Sequence, residues 1–272
     1  MGPKLVDISC GDFHTLVVTS AGECYSWGSN SYGQLGINSY VSSSEPKLIK
    51  DLSHTSIESV SCGSQHTLFL SKYKEVYACG DGEAGQLGQG YNRKEKVPKL
   101  ISFGTIINTQ FVQCAAGEKH SLFLNEQGTV YVAGCNTEGQ LGLGKEVNFC
   151  NKPQVIQQLK NMVSSVSCFK ANLAVTKTGN LFFWGKGVNS TVFTPQLVNC
   201  IPSKIKDAQI GRTMGIIVDQ KNTVWVFGSN QSGELGLGDC TSRQNPYPLI
   251  YLQGKPISQV SLGHKFAIAT LK

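Results

Sequence analysis

Histidine and cysteine are the residue types in this chain best suited to chemistry, and both recur at fixed places. His14, His66 and His120 each close a Gly-x-x-His turn: Gly11-Asp12-Phe13-His14, Gly63-Ser64-Gln65-His66 and Gly117-Glu118-Lys119-His120. Neutral imidazole ligates zinc and copper and exchanges protons near neutral pH, so three such residues raise the question of a metal or acid–base centre. A metal centre needs its ligands to converge, whereas a repeat holds equivalent side chains apart. Each histidine is therefore expected to bond a backbone group within its own unit, with no metal. The ten cysteines include no Cys-x-x-Cys, and Cys10, Cys62 and Cys168 all stand just before the turn glycine or its replacement. They read as small buried hydrophobes in a reducing cytosol rather than as disulfides or zinc ligands. No Gly-x-Ser-x-Gly elbow, phosphate loop or His-Glu-x-x-His pair is present, so no catalytic residue, cofactor or small-molecule substrate is expected.

The elements that hold these residues repeat with them. The turn glycine recurs at 11, 63 and 117, gives way to Phe169, and returns at Gly211 and Gly263. Gly33-Gln34-Leu35-Gly36, Gly85-Gln86-Leu87-Gly88 and Gly139-Gln140-Leu141-Gly142 follow at matching offsets. A period of about fifty residues marks a propeller or a similar array. Each unit reads as an apolar strand (Leu5–Ser9), the turn, a second strand (Thr15–Thr19), a hairpin, an aromatic strand ending in glycine (Cys24–Gly28), the Gly-Gln-Leu-Gly loop, and a fourth strand opening at a proline (Pro46, Pro98, Pro153, Pro195, Pro246 or Pro248). Short β-branched and aromatic runs bounded by Gly and Asn exclude a helical repeat. The fold class is all-β: a β-propeller of four-stranded blades, five full repeats plus a C-terminal half-repeat, in one domain over 1–272.

Hydrophobic residues make up 40% of the chain, enough for a large shared core, and no run of about 18 apolar residues occurs. No signal, myristoylation or prenylation pattern is read, and the expected location is cytoplasmic, with the nucleus as the alternative. Charge is lopsided: residues 1–136 hold 10 basic against 12 acidic side chains, and 137–272 hold 14 against 6. The basic half would favour acidic protein surfaces, anionic lipid or nucleic acid. Its lysines and arginines are scattered singly, without the basic-aromatic interleaving of single-strand binders, so nucleic acid is not the expected partner.

The pattern apolar-Ser/Ala-Cys/Ala-Gly-x-x-His-Thr/Ser-Leu, then Val-Tyr-x-x-Gly-x-Asn-x-x-Gly-Gln-Leu-Gly-x-Gly, resembles the regulator-of-chromosome-condensation repeat family over nearly the whole chain. The resemblance implies a β-propeller, best known with seven blades, and either guanine-nucleotide exchange on a Ran-like small GTPase or a partner-binding scaffold. In the family's exchange factor, acidic residues just before the motif histidine grip the GTPase and an inserted β-hairpin wedges near the nucleotide. The matching positions here, Phe13, Gln65, Lys119, Ala171, Thr213 and Lys265, are not acidic, and the near-constant spacing leaves no room for a hairpin. The favoured reading is a protein-interaction propeller that binds or regulates a small GTPase; exchange activity is the alternative.

Two departures bear on the site. The last unit stops after its second strand, so the ring closes with five or six blades or is completed by residues beyond Lys272. Unit four has Phe169-Lys170-Ala171-Asn172 for Gly-x-x-His, and Gly185 reaches Pro195 without a Gly-Gln-Leu-Gly loop, which would open a notch. The first turn and the long loop leave a blade at the same end, where rigid scaffolds carry recognition residues. Partner-binding candidates there are Asp12, Phe13, Tyr32, Gln65, Asp81, Glu118, Lys119, Lys170, Arg212 and Lys265, with Phe13 and Tyr32 as anchors.

Overall fold

A computed structural model describes residues 3–104 and 109–271. Its strands form five four-stranded antiparallel blades and one two-stranded half-blade. Blade 1 is β1 (Leu5–Cys10), β2 (His14–Thr19), β3 (Cys24–Gly28) and β4 (Ser43–Leu48). Blade 2 is β5 (Ile57–Cys62), β6 (His66–Ser71), β7 (Val76–Gly80) and β8 (Glu95–Leu100). Blade 3 is β9 (Phe111–Ala116), β10 (His120–Asn125), β11 (Val130–Cys135) and β12 (Phe149–Val155). Blade 4 is β13 (Val163–Cys168), β14 (Ala171–Thr176), β15 (Leu181–Lys186) and β16 (Thr191–Leu197). Blade 5 is β17 (Ile205–Ile210), β18 (Met214–Asp219), β19 (Val224–Gly228) and β20 (Arg243–Pro248), and the half-blade pairs β21 (Ile257–Leu262) with β22 (Ala267–Leu271). No α-helix occurs among the described residues.

Second strands such as β6, β10 and β14 are buried at every position, because neighbouring blades cover both of their faces. Hence the unbroken apolar run Leu68-Phe69-Leu70 in place of alternation. Fourth strands lie at the outer edge, where a proline costs no ladder bond. They begin three or four residues before the proline rather than at it, as at Ser43, Glu95 and Phe149. The hairpin between the second and third strands needs a left-handed residue: Gly22, Gly128 and Gly179 supply it in three blades, while Lys74 (φ 64°) and Asn222 (φ 58°) take that place in the others.

Blades are joined through the serine of the apolar-Ser-Cys run. The Ser9, Ser61 and Ser167 hydroxyls accept the amides of Cys62, Ala116 and Ile210 on the next inner strand, at 2.9–3.0 Å. Blade 3 has Ala115 at that position, and Gln113 takes over the role, accepting from the Val166 amide and donating to its carbonyl. The inner strands surround an axial channel of about 440 Å³. Leu5, Val6 and Ile8 of β1 and Ile268 of β22 are exposed, in contrast to the covered inner strands of blades 2 to 5.

Candidate partner-binding face

The turns between first and second strands and the loops between third and fourth strands gather at one end of the propeller. Each motif histidine there is clamped by its own glycine: a Cβ at Gly11, Gly63 or Gly117 would lie within 2.2–2.4 Å of the ring's Cε1. The far nitrogen does not bond its own blade, contrary to expectation. His14 Nε2 lies 3.0 Å from Thr67 Oγ1, His66 Nε2 2.9 Å from Ser121 Oγ, and His120 Nε2 2.6 Å from Asn172 Oδ1, always in the next blade. Thr67 Oγ1 in turn donates to the Gln34 carbonyl, Ser121 Oγ to that of Gln86, and Asn172 Nδ2 to that of Gln140. Since each hydroxyl spends its proton on the glutamine carbonyl, it must accept from Nε2–H, which sets the tautomer and leaves Nδ1 unprotonated. The three Nδ1 atoms are buried without a hydrogen-bond partner. Burial lowers the imidazole pKa to about 4 at His14, about 3 at His66 and about 4 at His120. These are interlocking groups, poorly suited to acid–base work.

The loops are wound on buried asparagines. Asn30 Nδ2 donates to the carbonyls of Ser39 and Val41 while its Oδ1 accepts from the Leu35 amide, and Asn136 and Asn230 repeat the arrangement. Asn30 is thus buried. All ten cysteines are free thiols; Cys62, Cys114 and Cys168 are buried, but Cys10, which shares the repeat position of Cys62 and Cys168, is exposed. Burial pushes the Cys62 and Cys114 thiols up to about 12, away from thiolate chemistry.

Four of the ten candidate residues meet. Arg212 Nη1 donates to both Asp12 oxygens at 3.1 Å, Arg212 Nη2 lies 3.9 Å from Glu118, and Lys170 Nζ lies 3.8 Å from the same carboxylate. The guanidinium sits 5.7 Å from the Phe169 ring centroid. Turns of blades 1, 3, 4 and 5 thereby converge at the channel mouth. Phe13 stands apart with 76% of its surface exposed, and Tyr32 is half-buried beneath Lys94, 4.4 Å from its ring centroid. Lys119 and Lys265 are exposed and Gln65 is half-buried. Asp81 is buried, its carboxylate accepting the Glu83 amide, so it shapes the loop instead of facing a partner. Where blade 4 lacks its long loop, a cavity of about 540 Å³ opens between blades 4 and 5. Lys170, Lys186 and Arg212 line its mouth, so three basic residues that look scattered along the chain share one rim.

The family model of the RCC1-like domain matches residues 1–269. The chain belongs to the RCC1-like domain family. Among relatives of this RCC1-like chain, the human E3 ubiquitin-protein ligase HERC2 is 31% identical over 98% of it, and the human X-linked retinitis pigmentosa GTPase regulator is 34% identical over 95%. The chain spans only 6% and 26% of the length of these two proteins. The crystal structure of human WBSCR16 matches the whole RCC1-like chain and 75% of its own length, with a TM-score of 0.86 at 25% identity. Yeast RCC1 (Prp20) bound to Kap60 matches 98% of the chain and 80% of its own, with a TM-score of 0.61 at 18% identity, and shares the fold.

Proposed function

We propose that this RCC1-like propeller is a protein-interaction module that binds or regulates a small GTPase of Ran type through its loop-bearing end. The observation that carries the reading is the convergence of Asp12, Glu118, Lys170 and Arg212 from four separate turns, at the same end as the exposed Phe13 ring. An aromatic anchor near charges of both signs is the composition of a protein interface. Kinship with a protein named as a GTPase regulator supports the choice of partner class. Phe13, Gln65 and Lys119, immediately before the motif histidines, carry no negative charge, which favours binding without stripping of nucleotide.

The test is a panel of small GTPases loaded with fluorescent guanine nucleotide. Saturable binding of at least one member with an unchanged rate of nucleotide release is the expected result. Accelerated release would establish exchange activity instead, and no binding to any member in either nucleotide state would refute the assignment.

A further inference from the structure

At three joints of the propeller the long loop of one blade lies on the outer strand of the next. The amides of Asn38, Gly90 and Gly144 donate to the carbonyls of Lys96, Asn151 and Phe193, each two residues before the outer-strand proline, at 2.7–3.0 Å. The loop leucines Leu35, Leu87 and Leu141 are buried there. The loop glutamine carbonyls are held by Thr67, Ser121 and Asn172.

The joint between blades 4 and 5 has lost every part of this device together. A tight turn at 187–190 replaces the loop, with the Gly187 amide on the Ser190 carbonyl. Ala171 faces Gly185 as His14, His66 and His120 face Gly28, Gly80 and Gly134, so Ala171, and not Asn172 as the Gly-x-x-His alignment has it, stands at the histidine position, and Gly215 stands at that of Thr67, Ser121 and Asn172. The Phe227 ring occupies the room beside Gly215, where a Cβ would lie 2.3 Å from its Cε1. A shortened loop alone would have left a polar side chain at 215 without a partner. Instead the seat has become apolar, walled by Leu173, Phe183, Ile217 and Phe227, while Gln244, two residues before Pro246, receives no loop amide. Its size, about 540 Å³, lies within the ~300–1,000 Å³ of ligand pockets.

We propose that this cavity is a socket for a turn of a partner protein that presents a leucine beside an acidic residue, entering where the chain's own loops sit at the other joints. The proposal deepens the reading of the loop-bearing end as a protein-binding face and rests on it. Charge selects the flanking residue: Lys170, Lys186 and Arg212 line the cavity and no Asp or Glu does. Their own partners, Glu118, Glu138 and Asp12, belong to blades 3 and 1. The blade 3 loop already shows the pairing, for it buries Leu141 while Glu138 lies 3.2 Å from Lys186.

The probe is a cyclised peptide with the sequence of residues 136–144, titrated into the full chain carrying methyl labels, with no GTPase present. Saturable shifts at Leu173, Met214 and Ile217 are expected, and a peptide carrying the equivalent of Leu141→Ala should bind at least roughly tenfold more weakly, as befits loss of a buried leucine side chain. Absent shifts, shifts elsewhere, or equal affinity of the two peptides would overturn the socket. A second protein, in which 187–190 is replaced by the 136–144 sequence, fills the cavity in cis; it should melt higher and lose the peptide, and unchanged peptide affinity in it would also overturn the proposal. If that graft does not fold, the peptide pair on the unaltered chain decides. A negative GTPase panel with a positive peptide pair removes only the GTPase assignment, and the reverse result removes only the socket.

Discussion

Arg212 and Asp12 are 200 positions apart in sequence, yet the guanidinium donates to both carboxylate oxygens and ties blade 5 to blade 1. Both side chains remain about a quarter exposed, so solvent screening keeps the pair modest. A double-mutant cycle with Asp12→Ala and Arg212→Ala should give a coupling of about 0.5–1 kcal/mol in urea unfolding, shrinking in high salt. A coupling near zero at low salt would mean that the two blades are held together without this pair.

Acid should loosen the propeller through its histidines. Their folded pKa values of about 3 to 4 lie below the ordinary 6.5, so the unfolded chain binds protons first as pH falls. Stability is full above about pH 6.5 and declines from there toward pH 4, by up to about 1.4 kcal/mol per pH unit for each histidine. His66→Gln keeps a donor near the Nε2 position and removes the titration, so its urea midpoint should fall less steeply between pH 7 and pH 5 than that of the parent. Identical slopes would contradict the buried neutral assignment.

Thr67→Val and Ser121→Ala each strip a hydroxyl that serves a histidine and a glutamine carbonyl at once. Leaving both groups buried and unpaired should cost about 1–3 kcal/mol per substitution. Thr213, partly exposed, with its hydroxyl donating to the His264 carbonyl, offers the control: Thr213→Val should change stability by less than about 0.5 kcal/mol.

Phe13→Ala separates binding from folding more cleanly than any other candidate, because most of the ring is in solvent. Its melting temperature should match the parent while affinity for a genuine GTPase partner drops by about 2 kcal/mol. Tyr32→Ala, by contrast, also removes the Lys94 contact and should register in both measurements. Unaltered affinity in the Phe13 variant would move the interface away from this end.

The half-blade has a structural duty that its exposed edge conceals. Ile257 and Val260 are buried and cluster with Met214, Ile216 and Val226 of blade 5. Deleting Pro256 onward should expose that cluster and produce an aggregating or lower-melting protein. A shorter chain as soluble and stable as the parent would show blade 5 to be self-sufficient.

Blade architecture was legible because the signals are local: Gly-x-x-His, the hairpin glycine and the outer proline each act within a few residues. Partners across joints were not, since Thr67 meets His14 only after a full repeat has brought the next blade alongside. The serine that bonds the next inner strand looks in sequence like any small strand residue, although its recurrence at Ser9, Ser61 and Ser167 was a usable clue. Asp12 and Arg212 offered no such clue, as their meeting depends on how far around the ring the blades turn. The candidate list placed Asp81 beside them because loop position alone does not distinguish a buried turn-forming carboxylate from a solvated one.

The histidine relay that runs through blades 1 to 4 stops at Asn172. In an array whose stability is a sum of unit and neighbour terms, a joint lacking its lock is the link that parts first. The Ser167 hydroxyl and the Arg212 guanidinium over the Phe169 ring still bridge it, but no motif histidine does. Amide hydrogens of β17 to β22 should therefore exchange as one cooperative block, earlier than those of β5 to β14, and a pulling force applied to the two ends should release the C-terminal third before the rest.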